Sequence, residues 1–284
     1  MRKALIAGAT GYLGQFVAKE FKRQDYFTRI IARNIEKFKR ENIPADELIN
    51  AEFTKPETLT DCCRNIDVVF TSVGITKQKD GLTYMDVDYQ ANLNLLEEAK
   101  RSGVKKFIYV SVFNGDRMTD LKICGAKERF VESLKHSGIG YCIIRPTGYF
   151  SDMGDFLKMA RKGRAYLLKR GAHSMNPISG EDLAEFCVAS VDQPAKELPI
   201  GGPEVFTYNQ IAALAFTACK KESKIFYIPD GVIKFMLWLT RTFTNSKTYG
   251  PIEFFITVLS MDMVAPNFGK YKLETYFEKL KDGM

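Results

Sequence analysis

The sequence predicts a doubly wound α/β fold, in which helices cover both faces of a parallel sheet. Short apolar runs alternate with helix-patterned stretches through residues 1–146, and the runs are apolar on both faces, as buried parallel strands require. A glycine-rich turn, Gly8–Gly14, follows the first run directly and opens the first helix pattern. Together these features favour this fold over the other common architectures.

Each element of the first 146 residues has its own local signal. The helices are expected where apolar residues recur at the three- and four-residue spacing of one helix face. These residues are Leu13, Phe16, Val17 and Phe21 in the first helix, Tyr89, Leu93 and Leu96 in the second, and Ala126, Phe130 and Leu134 in the third. The strands are expected at Ala4–Ala7, Thr28–Ala32, Glu47–Asn50, Val68–Ser72, Phe107–Val112 and Tyr141–Arg145.

After Pro146 the pattern loosens, and residues 147–284 are predicted to form a smaller lobe integral to the same domain. Helices are expected at Ser151–Lys162, at Gly180–Asp192 behind a capping-box-like signal, and around Ile211–Ala218. Residues 158–170 carry six basic side chains and no acid. They form either a solvated helix face or a border of the substrate crevice that attracts acidic ligands.

Composition excludes several classes of protein. With 45% apolar and 26% charged residues in 284, the chain is an ordinary globular protein and not a disordered one. The net charge of +7 favours anionic ligands weakly and does not indicate a nucleic-acid partner. No apolar run reaches the ~18 residues of a transmembrane span. The six cysteines and two histidines lack metal-site spacing, so we expect no metal, reduced thiols and a cytoplasmic location.

The turn Gly8-Ala9-Thr10-Gly11-Tyr12-Leu13-Gly14 has the pattern of a phosphate-binding loop. Gly8 permits a tight turn, Gly11 lets the backbone approach a pyrophosphate, and Gly14 lets the helix pack closely on the strand. The helix N-terminus then offers free amides and its positive dipole end to the phosphates. The sequence therefore predicts that this loop, with Thr10, Tyr12 and Leu13, binds a nucleotide.

The end of the second strand indicates which nucleotide binds. NAD-binding proteins usually carry an acidic residue there, whereas an arginine suits the 2′-phosphate of NADP. Arg33 stands nineteen residues after Gly14, Lys37 follows one helical turn later, and residues 26–35 contain no acid. NADP is therefore the expected cofactor, and NAD remains the alternative if Arg33 is only a solvated strand end.

Six further stretches match one family pattern. They are Thr71-Ser72-Val73-Gly74, Val87-Asp88-Tyr89-Gln90-Ala91-Asn92, Tyr109-Val110-Ser111, Ala126-Lys127-Glu128, Ile144-Arg145-Pro146-Thr147-Gly148 and Asn176–Ala184. With the glycine loop, they resemble the extended and atypical short-chain dehydrogenase/reductases, the branch that is NmrA-like, isoflavone-reductase-like, divinyl-chlorophyllide-reductase-like and epimerase-like. The resemblance implies cofactor contacts by Ser72, Val73, Gly74, Asn92, Lys127 and Pro146, and it specifies no substrate.

In that superfamily a serine, a tyrosine and a lysine carry the chemistry, and the resemblance implies catalytic roles for Ser111 and Lys127. The tyrosine donates a proton as hydride arrives, the lysine holds the nicotinamide ribose, and the serine steadies the substrate oxygen. The tyrosine position, four residues before Lys127, is Ile123, which cannot donate a proton.

Three alternatives follow from this departure. Lys127 itself acts as the acid or base, as in the isoflavone-type reductases that the chain resembles, and its pKa of ~10.4 must then be lowered by burial. Otherwise Tyr149 or His173 supplies the proton from the second lobe. In the third, the chain is a non-catalytic NAD(P)-binding regulatory or accessory protein. The first two imply hydride transfer to a carbonyl or alkene of a small, lipophilic substrate.

Residues 231–264 contain two apolar runs, Val232–Leu239 and Ile252–Leu259. Each has the ~10–13 residues of a buried or interfacial helix. Core packing or a subunit interface is one interpretation, and contact with a membrane surface or a lipophilic substrate is the other. Monomer and homodimer both remain open. Tyr109 is expected to pack in the core, and Cys124 is not expected to have a redox role.

Overall fold

The computed structural model describes residues 1–76, 78, 81–194 and 196–282. The strands are β1 (Lys3–Ala7), β2 (Phe27–Ala32), β3 (Glu47–Asn50), β4 (Val68–Thr71), β5 (Lys106–Val110), β6 (Gly140–Pro146), β7 (Ala165–Leu167), β8 (Ser174–Met175), β9 (Glu197–Ile200), β10 (Phe206–Thr207) and β11 (Ile225–Tyr227). The α-helices are α1 (Tyr12–Arg23), α2 (Ile35–Arg40), α3 (Asn92–Arg101), α4 (Lys122–Lys135), α5 (Phe150–Arg161), α6 (Gly180–Ala189), α7 (Tyr208–Ala218), α8 (Asp230–Phe243), α9 (Ser246–Val258) and α10 (Leu273–Asp282).

The central sheet has seven strands in the order β3-β2-β1-β4-β5-β6-β9. The five pairings from β3 to β6 are parallel. The strand order reverses between β1 and β4, where Ala7 lies opposite Thr71. The doubly wound α/β fold predicted from the sequence is therefore confirmed, and the carboxyl ends of β1 and β4 flank the crevice where such folds bind ligands.

The core helices bury the faces that their spacing predicted. Leu13, Val17 and Phe21 of α1 are buried, as are Phe130 and Leu134 of α4. The central strands β1, β4 and β5 are almost fully buried, as expected of a parallel sheet with helices on both faces, whereas the edge strands β3 and β9 are partly exposed.

The helix predicted around Tyr89 has a different start from the expected one. It begins as a π-helical segment, Met85–Ala91, and continues as α3. The side-chain Nδ2 of Asn92 donates to the carbonyls of Val87 and Asp88 in this segment at 3.3 and 3.1 Å. The strand β9 was not predicted, because its four residues, E-L-P-I, include a proline and show no apolar run.

The chain divides into two compact units. The first contains Met1–Arg145 and Leu183–Leu198, and the second contains Pro146–Asp182 and the chain from Pro199 onward. The second unit holds two small sheets, an antiparallel pair of β8 and β10 and a parallel pair of β7 and β11. Its helix α7 begins with a capping box, in which the Gln210 amide donates to Thr207 Oγ1 at 3.2 Å and Gln210 Oε1 accepts from the Thr207 amide at 2.7 Å.

Helix α8 leaves most of its apolar side chains uncovered. Ile233 is buried, whereas Phe235, Trp238 and Phe243 are 58%, 57% and 72% exposed. The interpretation of this run as core is therefore wrong for α8. Within the described ranges, no helix combines the length and the apolar character needed to cross a membrane.

Glu197 joins the edge strand β9 to the rest of the first unit through ion pairs. Its carboxylate lies 2.9 Å from Arg145 Nε and 2.7 Å from Lys135 Nζ. Burial alone would raise the pKa of Glu197, but hydrogen bonds from Lys135 and Arg145 outweigh burial and hold it below its ordinary value. Stability from these pairs is therefore present above the unfolded pKa of about 4.3 and is lost as the pH falls through the lower folded pKa.

We expect Glu197→Gln to lower the free energy of unfolding by about 1 kcal/mol near neutral pH, because the pairs are partly exposed to solvent. The difference from wild type should shrink as the pH falls below the unfolded pKa of a glutamate. Urea denaturation followed across this range measures both effects. Glu222→Gln, at an exposed glutamate of the second unit, is the matched control. A Glu197→Gln deficit that is equally large in acid would contradict the prediction.

Candidate functional site

The loop Gly8–Gly14 connects β1 to α1 through a tight turn that has no room for a side chain at Gly8 or Gly14. Gly8 has a φ of +86°, and a Cβ there would lie 2.9 Å from Ser72 Oγ. The Gly11 amide donates to the Gly8 carbonyl at 2.9 Å, which closes the turn. A Cβ on Gly14 would overlap that same carbonyl oxygen. The backbone thus folds tightly here because these positions are glycines.

The N-terminus of α1 opens from this loop. Gly11 precedes the helix with extended backbone and has no side chain to cap it, and the first turn contains no acidic residue. The first amides of α1 therefore present positive partial charge. Thr10 is exposed and Tyr12 is half-buried with its ring 5.3 Å from that of Phe16, whereas the Leu13 side chain is buried. Only the backbone of Leu13 is therefore available to contact a ligand.

The segment Ser72–Gly74 lies at the carboxyl end of β4, beside Gly8. Buried Asn92 holds it: its Oδ1 accepts from Thr71 Oγ1 at 2.8 Å, and its Nδ2 donates to the Val73 carbonyl at 3.0 Å. The Val73 amide in turn donates to Thr71 Oγ1 at 3.2 Å. Asn92 therefore contacts the segment's backbone, and any effect it has on a ligand acts through that backbone.

Lys127 forms an ion pair with a fully buried carboxylate. Its Nζ lies 2.9 Å from Asp88 Oδ1, and its side chain is 15% exposed while that of Asp88 is 0% exposed. The other carboxylate oxygen accepts from the Ile75 amide at 3.2 Å. Burial raises the pKa of Asp88, and the positive charge of Lys127 opposes that rise. A Cβ on Gly74 would lie 2.5 Å from Asp88 Oδ1 and 2.9 Å from Lys127 Nζ, so a side chain there would have to displace the ion pair.

The sequence interpretation did not assign Asp88 a role. The sequence feature that could have indicated this role is an acidic residue four positions before Asn92 on an otherwise buried helix face, because a buried acid needs a partner. Tyr109 forms the floor beneath Lys127: its ring centroid is 5.7 Å from Lys127 Nζ and 4.7 Å from the Phe130 ring centroid. Tyr109 is buried, as predicted, and burial raises its pKa above the ordinary value.

Ser111 belongs to a neighbouring buried network. Its Oγ donates to Glu128 Oε1 at 2.9 Å, and Arg145 binds both oxygens of Glu128 at 2.7 Å. Arg145 also donates to the Val112 carbonyl at 3.2 Å. The Ser111 hydroxyl proton is thus engaged inside the protein, so donating it to a substrate would break the bond to Glu128.

Ile123 occupies the tyrosine position on α4, one helical turn before Lys127, and is buried. The adjacent Cys124 is also buried, and burial raises the pKa of its thiol to about 12. A thiol with so high a pKa is almost fully protonated near neutral pH and is a poor nucleophile. Among the described residues, no group of three or more histidines, cysteines and acids could hold a metal ion.

The remaining predicted residues lie at other places. Arg33 is exposed directly after β2, and its charge adds to that of Lys55 in lowering the pKa of Glu52. The Lys37 side chain lies outside the described part of the structure. Pro146, Tyr149 and His173 belong to the second unit. There the Tyr149 amide donates to Asp152 Oδ2 at 3.1 Å, and His173 Nδ1 lies 3.4 Å from Asp262 Oδ1.

Comparison of the sequence with known proteins identifies a family and two groups of similar proteins. The sequence profile of the NAD(P)H-binding family matches residues 8–194. The chain is 28% identical to the chloroplastic divinyl chlorophyllide a 8-vinyl-reductase of Cucumis sativus, with 99% of this chain and 76% of that protein aligned. It is 22% identical to the photosystem II assembly factor Ycf39 of Synechocystis, with 85% and 75% aligned.

A solved structure shares the fold. The NADPH-dependent quinone oxidoreductase QOR2 of Escherichia coli, in complex with NADPH, superimposes with a TM-score of 0.72. The two chains are 16% identical, and the match covers 98% of this chain and 99% of the other. The N-terminus of α1 fits the phosphates of a dinucleotide, since Gly11 precedes it without a side-chain cap and its first turn contains no acidic residue.

We expect Gly11→Val to weaken NADPH binding at least about tenfold, because its side chain would project where the loop backbone must approach the pyrophosphate. Isothermal titration calorimetry measures the affinity, and the melting temperature reports whether the fold is kept. Gly231→Val, at an open glycine in the first turn of α8, is the matched control. Unchanged affinity in folded Gly11→Val would contradict the assignment of this loop to the cofactor.

Proposed function

The chain belongs to the NAD(P)H-binding family, and on this premise we propose that it is an NAD(P)H-dependent reductase that works without the usual tyrosine. The observation that carries the proposal is the ion pair between Lys127 and buried Asp88 beside Gly74. When bound, the cofactor supplies a hydride to a small, lipophilic acceptor. Residues 1–146 hold the cofactor, residues 147–284 form the substrate-side lobe, and the protein acts in the cytoplasm.

Asp88 gives Lys127 a fixed position and favours its positively charged form. A buried carboxylate without a partner is costly, so the ammonium group is held at 2.9 Å rather than left to move in solvent. In this position Lys127 binds the nicotinamide ribose and donates the proton that completes the reduction. A proton that leaves Nζ leaves a neutral amine beside the carboxylate, and water restores the proton through the exposed edge of the side chain.

The missing tyrosine favours an alkene acceptor over a carbonyl. Hydride addition to a carbonyl creates an alkoxide, which needs a well-placed proton donor at the same moment. Hydride addition to a conjugated alkene creates a delocalised anion, which a weaker acid can protonate in a later step. With Ile123 at the tyrosine position and Ser111 bonded to Glu128, the chain's own groups suit the second case better.

An accessory protein that binds NAD(P)H without catalysis is the second candidate. Two observations favour it: Ile123 cannot donate a proton, and the Ser111 hydroxyl is held by Glu128. The similarity to an assembly factor as well as to a reductase is compatible with both candidates. The two differ in one property that can be measured, which is turnover by the wild-type protein.

Cofactor choice is tested at Arg33, which we propose contacts the 2′-phosphate of NADPH. Arg33→Asp removes a charge-assisted contact worth ~1.5–3 kcal/mol and adds repulsion. NADPH affinity should fall at least ~10-fold, while NADH affinity holds or rises. Calorimetry with both nucleotides measures this, with Arg64→Asp at another exposed arginine of the first unit as control. A wild-type protein that binds both equally well would contradict the role of Arg33.

Catalysis is tested at Lys127. We expect Lys127→Met to abolish the NADPH-dependent reduction of a panel of conjugated alkenes and carbonyls, followed by NADPH absorbance. Because this change strands a buried carboxylate at a cost of about 3–5 kcal/mol, the double variant Lys127→Met/Asp88→Asn keeps the fold testable. Lys122→Met, at an exposed lysine of α4, is the matched control.

The outcomes separate the two candidates. Turnover that is lost in the folded double variant and kept in Lys122→Met supports the reductase with Lys127 in its site. Turnover that survives in the double variant would move the proton donor elsewhere, with Tyr149 and His173 as the groups to test next. A wild-type protein that binds NADPH and reduces nothing in the panel would favour the accessory protein.

A further inference from the structure

Helix α8 carries an exposed apolar stripe along one side. Val232, Phe235, Met236, Leu239 and Phe243 recur at the spacing of a single helix face, and each is exposed. We call these five residues the α8 face. Ile233 on another side is buried, and Leu237 and Thr240 beside it are half-buried, so α8 is anchored by one side while the α8 face points to solvent.

Aromatic rings widen this apolar surface. Trp238 is exposed, with its ring stacked on Phe235 at 5.9 Å and edge-on to Phe243 at 6.3 Å. A second exposed pair, Tyr166 on β7 and Phe226 on β11, stacks at 5.6 Å in the same unit. Soluble monomers rarely leave so many large apolar side chains together without a use.

Basic residues border the α8 face at both ends. At its start, Lys169 and Arg170 line an open pocket of about 830 Å³ together with His173, Tyr227, Ile228, Pro229 and Asp230. Lys169 and Arg170 have left-handed φ angles of 48° and 56°, a backbone strain typical of sites under functional constraint. Lys234 lies on α8 itself, and Lys247 follows its end at the start of α9.

The acids in this neighbourhood do not cancel these cations. Asp230 pairs with Lys169 at 2.6 Å, Glu253 pairs with Arg241, and Asp262 lies beside His173. Arg170, Lys234 and Lys247 add positive charge beyond these pairs, so the apolar stripe has a net basic border.

We propose that the α8 face docks the protein on an anionic membrane surface, with α8 lying in the headgroup region and the basic border contacting lipid phosphates. An apolar stripe with tryptophan and phenylalanine beside lysine and arginine is the pattern of an interfacial helix. The 14 residues of α8 extend roughly 21 Å at 1.5 Å per residue, which suits lying on a bilayer and not crossing it.

Charge selects a membrane over a second copy of the chain. A symmetric dimer through the α8 face would bring the same cations of both copies together, whereas an anionic lipid surface supplies the opposite charge. This inference is independent of the proposed reductase activity, because no residue of the α8 face or its basic border takes part in that chemistry.

Trp238 provides a direct measurement, because it is the only tryptophan in the chain. We expect its emission to shift to shorter wavelength with vesicles of an equal mixture of phosphatidylcholine and phosphatidylglycerol, and not with phosphatidylcholine alone. The protein should sediment with the mixed vesicles, and added salt should weaken this binding. The full chain is used, and NADPH is left out so that the result does not depend on the cofactor.

Two pairs of variants test the two halves of the surface. Phe235→Ser/Phe243→Ser should weaken vesicle binding at least about tenfold, whereas Val205→Ser, at another exposed apolar residue of the second unit, should not. Lys247→Glu should weaken binding about fivefold or more, whereas Lys279→Glu on α10 should change it little.

Three results would overturn the proposal. The first is no sedimentation with the mixed vesicles. The second is equal binding to vesicles with and without phosphatidylglycerol, which would remove the role of charge. The third is a tryptophan shift that depends on protein concentration in the absence of lipid and accompanies a dimer in analytical ultracentrifugation, which would make the α8 face a contact between copies of the chain.

Discussion

The buried ion pair between Asp88 and Lys127 constrains most of the first unit around the candidate site. A carboxylate that is fully removed from water is tolerated only with a cation and hydrogen bonds to satisfy it, and Lys127 and the Ile75 amide provide these. The segment after β4 passes so close to Asp88 that a Cβ on Gly74 would displace the ion pair. Asn92 fixes the same segment from the next helical turn.

Two neighbours on α4 serve two separate networks. Consecutive helical residues point about 100° apart, so Lys127 faces Asp88 while Glu128 faces Ser111 and Arg145. The second network continues through Arg145 to Glu197 and so ties the edge strand to the sheet. Ser111, which family resemblance places beside the lysine in function, is thereby bound to the structural network. Lys127, the other residue with a proposed catalytic role, belongs to the first network.

The parts of the structure that sequence could predict are those fixed by local patterns. The glycine loop, six strands of the sheet and the buried faces of α1 and α4 each follow from spacing within one segment. The pairing of Asp88 with Lys127 joins residues thirty-nine positions apart and depends on a π-helical turn, for which the sequence gives no periodic signal. Family resemblance predicts that the Ser111 hydroxyl faces substrate, whereas in the structure it binds Glu128. No local pattern could reveal this partner, because tertiary contacts alone bring the two residues together. The exposure of α8 could not be predicted from the sequence either, because periodicity shows that a helix face is apolar but does not show what covers that face.

The two units differ in how much apolar surface their sheets can cover. In the first unit a seven-stranded sheet offers two broad faces, and the apolar sides of α1 and α4 are buried against the core. The sheets that the described residues form wholly within the second unit have two strands each, which are too small to cover a helix as apolar as α8. Its apolar side chains therefore stay at the surface, where their retention costs solubility without adding to the core. Such a surface is most simply explained by a partner that is itself apolar and, given Lys234 and Lys247 beside it, negatively charged.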